Sequence, residues 1–112
     1  MGKKIIFTVL ATAFISTAYA ADVEKGKALF NDPKFAGGTS GKSCNTCHPN
    51  GKGLEKSGTK KKFRVMGQEQ KSLEEAVNFC IVNANKGKAI DVNSEDMKNI
   101  VAYIKSLGKK KY

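Results

Sequence analysis

The chain is predicted to fold as an all-α domain in which three or more short helices are joined by long loops. Two segments, 72–85 and 94–108, carry apolar residues at helical spacing behind polar, acid-rich starts. A third, 22–30, opens on an aspartate suited to capping. Beyond the first twenty residues there is no β-branched, alternating segment of strand length and no internal repeat.

The first twenty residues read as a leader. Lys3 and Lys4 precede an apolar run over 5–15, and Ala18-Tyr19-Ala20 supplies the small-x-small pattern cut by signal peptidases. The run is shorter than the roughly 20 apolar residues a spanning helix needs, which argues against an uncleaved anchor. Cleavage after Ala20 divides the chain into a signal peptide, 1–20, and one mature domain of 92 residues, 21–112, in the periplasm or an equivalent exported space. So small a domain buries only about 60–65% of its unfolded surface and often needs a staple. Three cysteines are too few, and odd in number, for a disulfide framework.

Asp22 is placed to cap a helix over Val23–Phe30, ended by Asn31-Asp32-Pro33. A loop rich in Gly, Ser and Thr, 37–41, leads to the cysteine motif, and a second polar loop covers 49–62. Ser72-Leu73-Glu74-Glu75 has the form of a capping box opening a helix to about Asn85. Leu73, Ala76, Val77, Cys80, Ile81 and Ala84 share one face of it, and Gly87 is a stop. Ser94-Glu95-Asp96 opens the last helix with acids where the helix dipole favours them. Met97, Ile100, Val101 and Ile104 form its core-facing stripe, and Gly108 ends it.

Without Lys3 and Lys4 the chain has 18 basic against 10 acidic residues, a charge of +8. The cations cluster at Lys60-Lys61-Lys62-Phe63-Arg64 and at Lys109-Lys110-Lys111. Such a charge steers encounters with an acidic partner protein, although it also serves simply as a solvated surface. An exported chain without a recognisable nucleic-acid motif is not expected to bind nucleic acid. After leader removal no segment is expected to hold it in a membrane.

Cys44-Asn45-Thr46-Cys47-His48 is the C-x-x-C-H pattern of covalent haem attachment. Two thiols three residues apart on a helical turn can reach the two vinyl groups of one porphyrin edge. The next residue, His48, is then aimed at the iron, and it is the only histidine in the chain. A bound haem is also the staple that a domain of this size needs. A thioredoxin-like redox pair would want a βαβ context, which is absent. A zinc site from Cys44, Cys47, His48 and Cys80 is the other alternative, but zinc modules usually space their ligands as two pairs.

The resemblance to cytochrome c extends beyond the motif. Asp22-Val23-Glu24-Lys25-Gly26-Lys27, with Phe30, is similar to its N-terminal helix, and Ile100-Val101-Ala102-Tyr103-Ile104 to its C-terminal one. The resemblance implies that these two helices cross around one haem, with Gly26 and Phe30 against Ile100 and Tyr103. The stretch from Phe30 to Cys44 is longer than in compact cytochromes, which leaves the shape near the haem edge open.

The second axial ligand is not where the common cytochromes carry it. Their methionine lies in a loop before the last helix, and here that loop, 86–93, contains none. Met97 belongs to a core stripe. Met66, in a loop beside Gly67, is a candidate that could equally be an apolar plug. Cys80 is the third, otherwise unpaired cysteine, mid-helix on an apolar face; its alternative role is that of a small buried hydrophobe. The segment Val77-Asn78-Phe79-Cys80-Ile81, followed by Gly87-Lys88 and Asn93-Ser94-Glu95-Asp96-Met97, resembles the His/Cys-ligated cytochromes. That group includes thiosulfate dehydrogenases and haem subunits of sulfur-oxidising complexes. The resemblance implies that Cys80 binds iron opposite His48, with Met66 as the alternative. The dihaem enzymes of that group carry two C-x-x-C-H motifs and this chain has one, so catalysis on thiosulfate does not follow from it.

A thiolate ligand favours ferric iron and a low potential. The sequence therefore points to a single-haem c-type cytochrome that transfers electrons and is not an enzyme by itself. Two alternatives stand beside it: a redox-gated binder or sensor of a diatomic gas (NO or CO), and a haem subunit of a sulfur- or nitrogen-oxidising complex. Another cytochrome subunit, in a homo- or heterodimer, is a further candidate partner.

Overall fold

The structure, a computed structural model, describes residues 20–109. The expected leader over 1–19, and Lys110 and Lys111 of the C-terminal basic cluster, lie outside the described residues. The element order is α1 (Val23–Phe30), α2 (Cys44–Cys47), β1 (Phe63–Val65), β2 (Gln68–Gln70), α3 (Leu73–Asn83) and α4 (Glu95–Ser106), with short 3-10 turns at Phe35–Gly37, Pro49–Gly51 and Leu107–Lys109. No helix among the described residues is long and apolar enough to cross a membrane.

Helices α1 and α4 form the base of the domain. Asp22 caps α1, its Oδ1 accepting from the Glu24 and Lys25 N–H groups at 3.0 and 3.1 Å. The Asp22 N–H in turn donates to the Asn99 Oδ1 of α4 at 2.8 Å, tying the start of one helix to the middle of the other. A Cβ built at Gly26 would overlap the Asn99 carbonyl, so only glycine allows this approach. One turn on, Phe30 meets Tyr103 edge-to-face with ring centroids 5.1 Å apart. Such a pair adds about 0.5–1.5 kcal/mol beyond area burial. Of the expected contact of Gly26 and Phe30 with Ile100 and Tyr103, the Tyr103 part is present, while Gly26 itself faces the Asn99 backbone. Phe30, Ile81, Met97 and Ile100 are fully buried around this seam.

The expectation of an all-α chain needs correction. β1 and β2 pair as an antiparallel hairpin, with Phe63 opposite Gln70 and Val65 opposite Gln68. The turn residues Met66 and Gly67 have φ of 51° and 82°, the double positive φ of a type I′ turn, whose twist suits a two-residue hairpin. Strands of three residues are too short to show an alternation. Phe63 still turns inward, and it is buried.

Helix α3 starts and stops slightly differently from expectation. The Ser72 Oγ accepts from the Glu75 N–H at 3.1 Å, but the Glu75 carboxylate reaches back to the Lys71 N–H rather than that of Ser72. The helix ends at Asn83, and the left-handed residue past its end is Lys86, φ 60°, not Gly87. The Gly-Ser-Thr loop is pinned to this end. The N–H groups of Thr39 and Ser40 donate to the Asn85 carbonyl, and their hydroxyls to Lys86 and Ala84 carbonyls, at 2.9–3.1 Å. Carbonyls that a helix end leaves without partners are thereby satisfied. The inserted loop, whose course the resemblance left open, is thus the strap that carries Cys44 to the C-terminal end of α3.

Candidate functional site

The Cys-x-x-Cys-His motif forms the one-turn helix α2, and both intervening residues hold it in shape. Thr46 Oγ1 accepts from the Ser43 N–H at 2.9 Å, and Asn45 Oδ1 accepts from the Asn50 N–H at 2.7 Å. Cys44 and Cys47, three apart on one turn, therefore face the same side. His48 follows as the chain leaves the helix, its N–H bonded to the Cys44 carbonyl at 3.0 Å. Its Nδ1 lies 3.0 Å from the Lys52 carbonyl, which can only accept, so Nδ1 carries a proton, and in the neutral ring the lone pair is on Nε2.

These residues open onto a cavity of about 430 Å³, within the range of roughly 300–1,000 Å³ seen for ligand pockets. Phe30, Leu73, Val77 and Ile104 contribute apolar walls from α1, α3 and α4. Cys44, Cys47, His48 and Cys80 all line it. The three cysteines form no disulfide. Burial pushes the Cys44 thiol up to about 11, with Cys80 and Cys47 adding to the rise and a hydrogen bond from Asn85 opposing it. Burial, then the neighbouring Cys47, also raises Cys80. The Cys44 and Cys80 sulfurs thus share one low-polarity neighbourhood, and the more exposed Cys47 lines the same cavity.

The other candidates separate cleanly. Met97 is fully buried and lines no part of the cavity. Met66 touches the cavity from the tip of the hairpin turn but is 60% exposed, a rim position. None of residues 86–93 lines the cavity. Among the described residues no group of three or more His, Cys, Asp and Glu side chains is arranged to hold a metal ion. The sheet is an antiparallel hairpin rather than a βαβ unit, which counts against the thioredoxin-like one.

Sequence reasoning missed several lining residues. Asn85 is 2% exposed and faces Cys44. Ser57, Lys60 and Arg64 also line the cavity, delivered by the hairpin and the loop before it. The basic cluster was visible in the sequence, but only the fold brings two of its members to the cavity, Lys60 from the loop and Arg64 from β1.

A helical domain that lines a largely apolar cavity with a Cys-x-x-Cys-His turn is a c-type cytochrome domain. The chain belongs to the SoxA/TsdA cytochrome c domain family, whose model matches residues 25–111. It is similar to the L-cysteine S-thiosulfotransferase subunit SoxA of Chlorobaculum tepidum, 41% identical over 91 residues that cover 81% of this chain and 29% of that protein. The subunit of the same name from Chlorobaculum thiosulfatiphilum is 40% identical with the same coverage. The match therefore spans less than a third of either relative's length. No solved structure matches the chain.

The family's cofactor is haem c, and the residues present fit it. The cavity is apolar where a porphyrin would be buried, two thiols from one turn line it, and the Lys52 carbonyl engages His48 Nδ1, which leaves Nε2 as the nitrogen available to a metal.

Proposed function

We propose that the chain is an exported, single-haem cytochrome in which Cys44 and Cys47 carry the haem and His48 Nε2 and the Cys80 thiolate are the axial ligands. It works as an electron-transfer component. When bound, the haem supplies one-electron chemistry at its iron. The observation that carries the reading is the gathering of Cys44, Cys47, His48 and Cys80 on one apolar cavity. The chain's own part is to exclude water, fix the His48 tautomer through Lys52, and keep Cys80 where a cation must stabilise its thiolate. A thiol raised by burial ionises at neutral pH only with such help.

The names of the relatives favour a second reading at the level of partnership. Both are named as S-thiosulfotransferase subunits, which supports a haem domain that works beside a partner subunit.

Absorption spectra and the midpoint potential of Cys80→Met test the ligand assignment. Loss of the thiolate is expected to change the ferric spectrum and raise the potential, since methionine is the weaker electron donor. Unchanged spectra and potential would defeat it. Carbon monoxide uptake by the reduced wild-type protein would favour the gas-binding alternative over the carrier. N-terminal sequencing of the exported protein is expected to begin at Ala21, which tests the leader.

A further inference from the structure

The apolar cavity adjoins a second one of about 400 Å³, and the two share Ser57, Lys60, Phe63 and Leu73. The second cavity is cationic: Lys61, Lys71 and Lys105 line it beside one acid, Glu74. Ser57, at the junction, is only 7% exposed, and its hydroxyl has no hydrogen-bond partner among the described residues. Native proteins leave few buried polar groups unpaired, because such a group has lost water and gained nothing. An orphaned hydroxyl beside two cavities therefore points to a group that the described residues do not supply.

The remaining polar side chains on the first cavity already have work. Ser43 lies against Thr46, Asn85 faces Cys44, and His48 is held by Lys52. What is left is Ser57 with two cations, Lys60 and Arg64. Haem carries two carboxylates, and an anion cannot enter an apolar cavity without a counter-charge and hydrogen bonds. Lys60 is already drawn over the ring of Phe63, its Nζ 5.5 Å from the centroid, and Phe63 borders both cavities.

We propose that the Ser57 hydroxyl and the Lys60 ammonium bind a haem carboxylate where the two cavities meet, with Arg64 as the second cation and the lysine groove as the counter-charge beyond. This rests on the haem reading of the cavity. The hydroxyl donates one hydrogen bond and the ammonium a charge-assisted one. The basic cluster thereby gains a role inside the domain as well as on its surface.

The test uses the holoprotein, with resonance Raman spectra of the haem carboxylate bending band and the midpoint potential as readouts. Ser57→Ala and Lys60→Gln are each expected to shift the band to lower frequency. Lys60→Gln is also expected to lower the potential, because removing a nearby cation favours the ferric state. Ser57→Thr and Lys60→Arg should restore the wild-type band, and Lys34→Gln, which lines neither cavity, should leave both readouts unchanged. If Ser57→Ala fails to take up haem, the exposed Lys60 decides the matter alone. An unmoved band and potential in a wild-type-like, covalently haem-stained Lys60→Gln protein would overturn the carboxylate assignment and leave the haem reading intact. Absence of covalent haem from the wild-type protein would overturn both.

Discussion

Asn78 and Ile90 are joined by reciprocal hydrogen bonds, the Ile90 N–H donating to Asn78 Oδ1 and the Asn78 Nδ2 donating to the Ile90 carbonyl, each at 2.8 Å. The clip holds the loop over 86–93 against α3. It is the loop in which the common cytochromes carry their methionine, and none of it lines the cavity. Asn78→Leu strips both partners from a part-buried backbone and is expected to cost about 2 kcal/mol. Asn78→Asp, which keeps the acceptor, should cost less. Urea denaturation of the two holoproteins measures the difference.

Gly26→Ala is expected to destabilise the domain by about 3 kcal/mol, as in other overpacked contacts. The added methyl meets the Asn99 backbone, which cannot rotate away as a side chain would. The gain in helix propensity of roughly 1 kcal/mol is too small to offset this. A denaturation midpoint equal to or above wild type would contradict the close approach of α1 to α4.

Met66→Asn places the preferred residue in a type I′ turn and is expected to raise stability by about 0.5 kcal/mol. Spectra and potential should not change, because Met66 is 60% exposed on the rim. A changed ferrous spectrum would instead make Met66 an iron ligand.

Burial, with Glu24 adding to it, pushes the Tyr103 phenol above its usual 10.0. The unfolded chain therefore loses this proton at a lower pH than the folded one. The associated stability is fully present below pH 10 and is lost as pH rises through the folded value. Tyr103→Phe should show a smaller alkaline loss of stability than wild type, measured by denaturation between about pH 9 and pH 12.

Helix starts were legible because capping is local chemistry. Asp22, Ser72 and Ser94 each bond to N–H groups within three residues, so composition alone marks them. The hairpin was not legible, because a three-residue strand offers no periodicity and Met66 is an unusual occupant of a left-handed turn position. Gly87 reads as a stop because glycine commonly tolerates positive φ, whereas here Lys86 adopts it.

The sequence by itself determined the Cys-x-x-Cys-His turn, since Cys44, Cys47 and His48 are neighbours whose spacing is set by one helical turn. It also nominated Cys80, but 32 residues separate it from Cys47, and no local rule carries a side chain across that distance. Tertiary structure decided that Cys80 shares the cavity, through the Gly-Ser-Thr strap that ties the segment before Cys44 to the end of α3. It likewise decided that Ser57, Lys60 and Arg64 reach the same cavity. Which distant side chains meet depends on hydrogen bonds and packing between segments, and those exist only once the chain has closed.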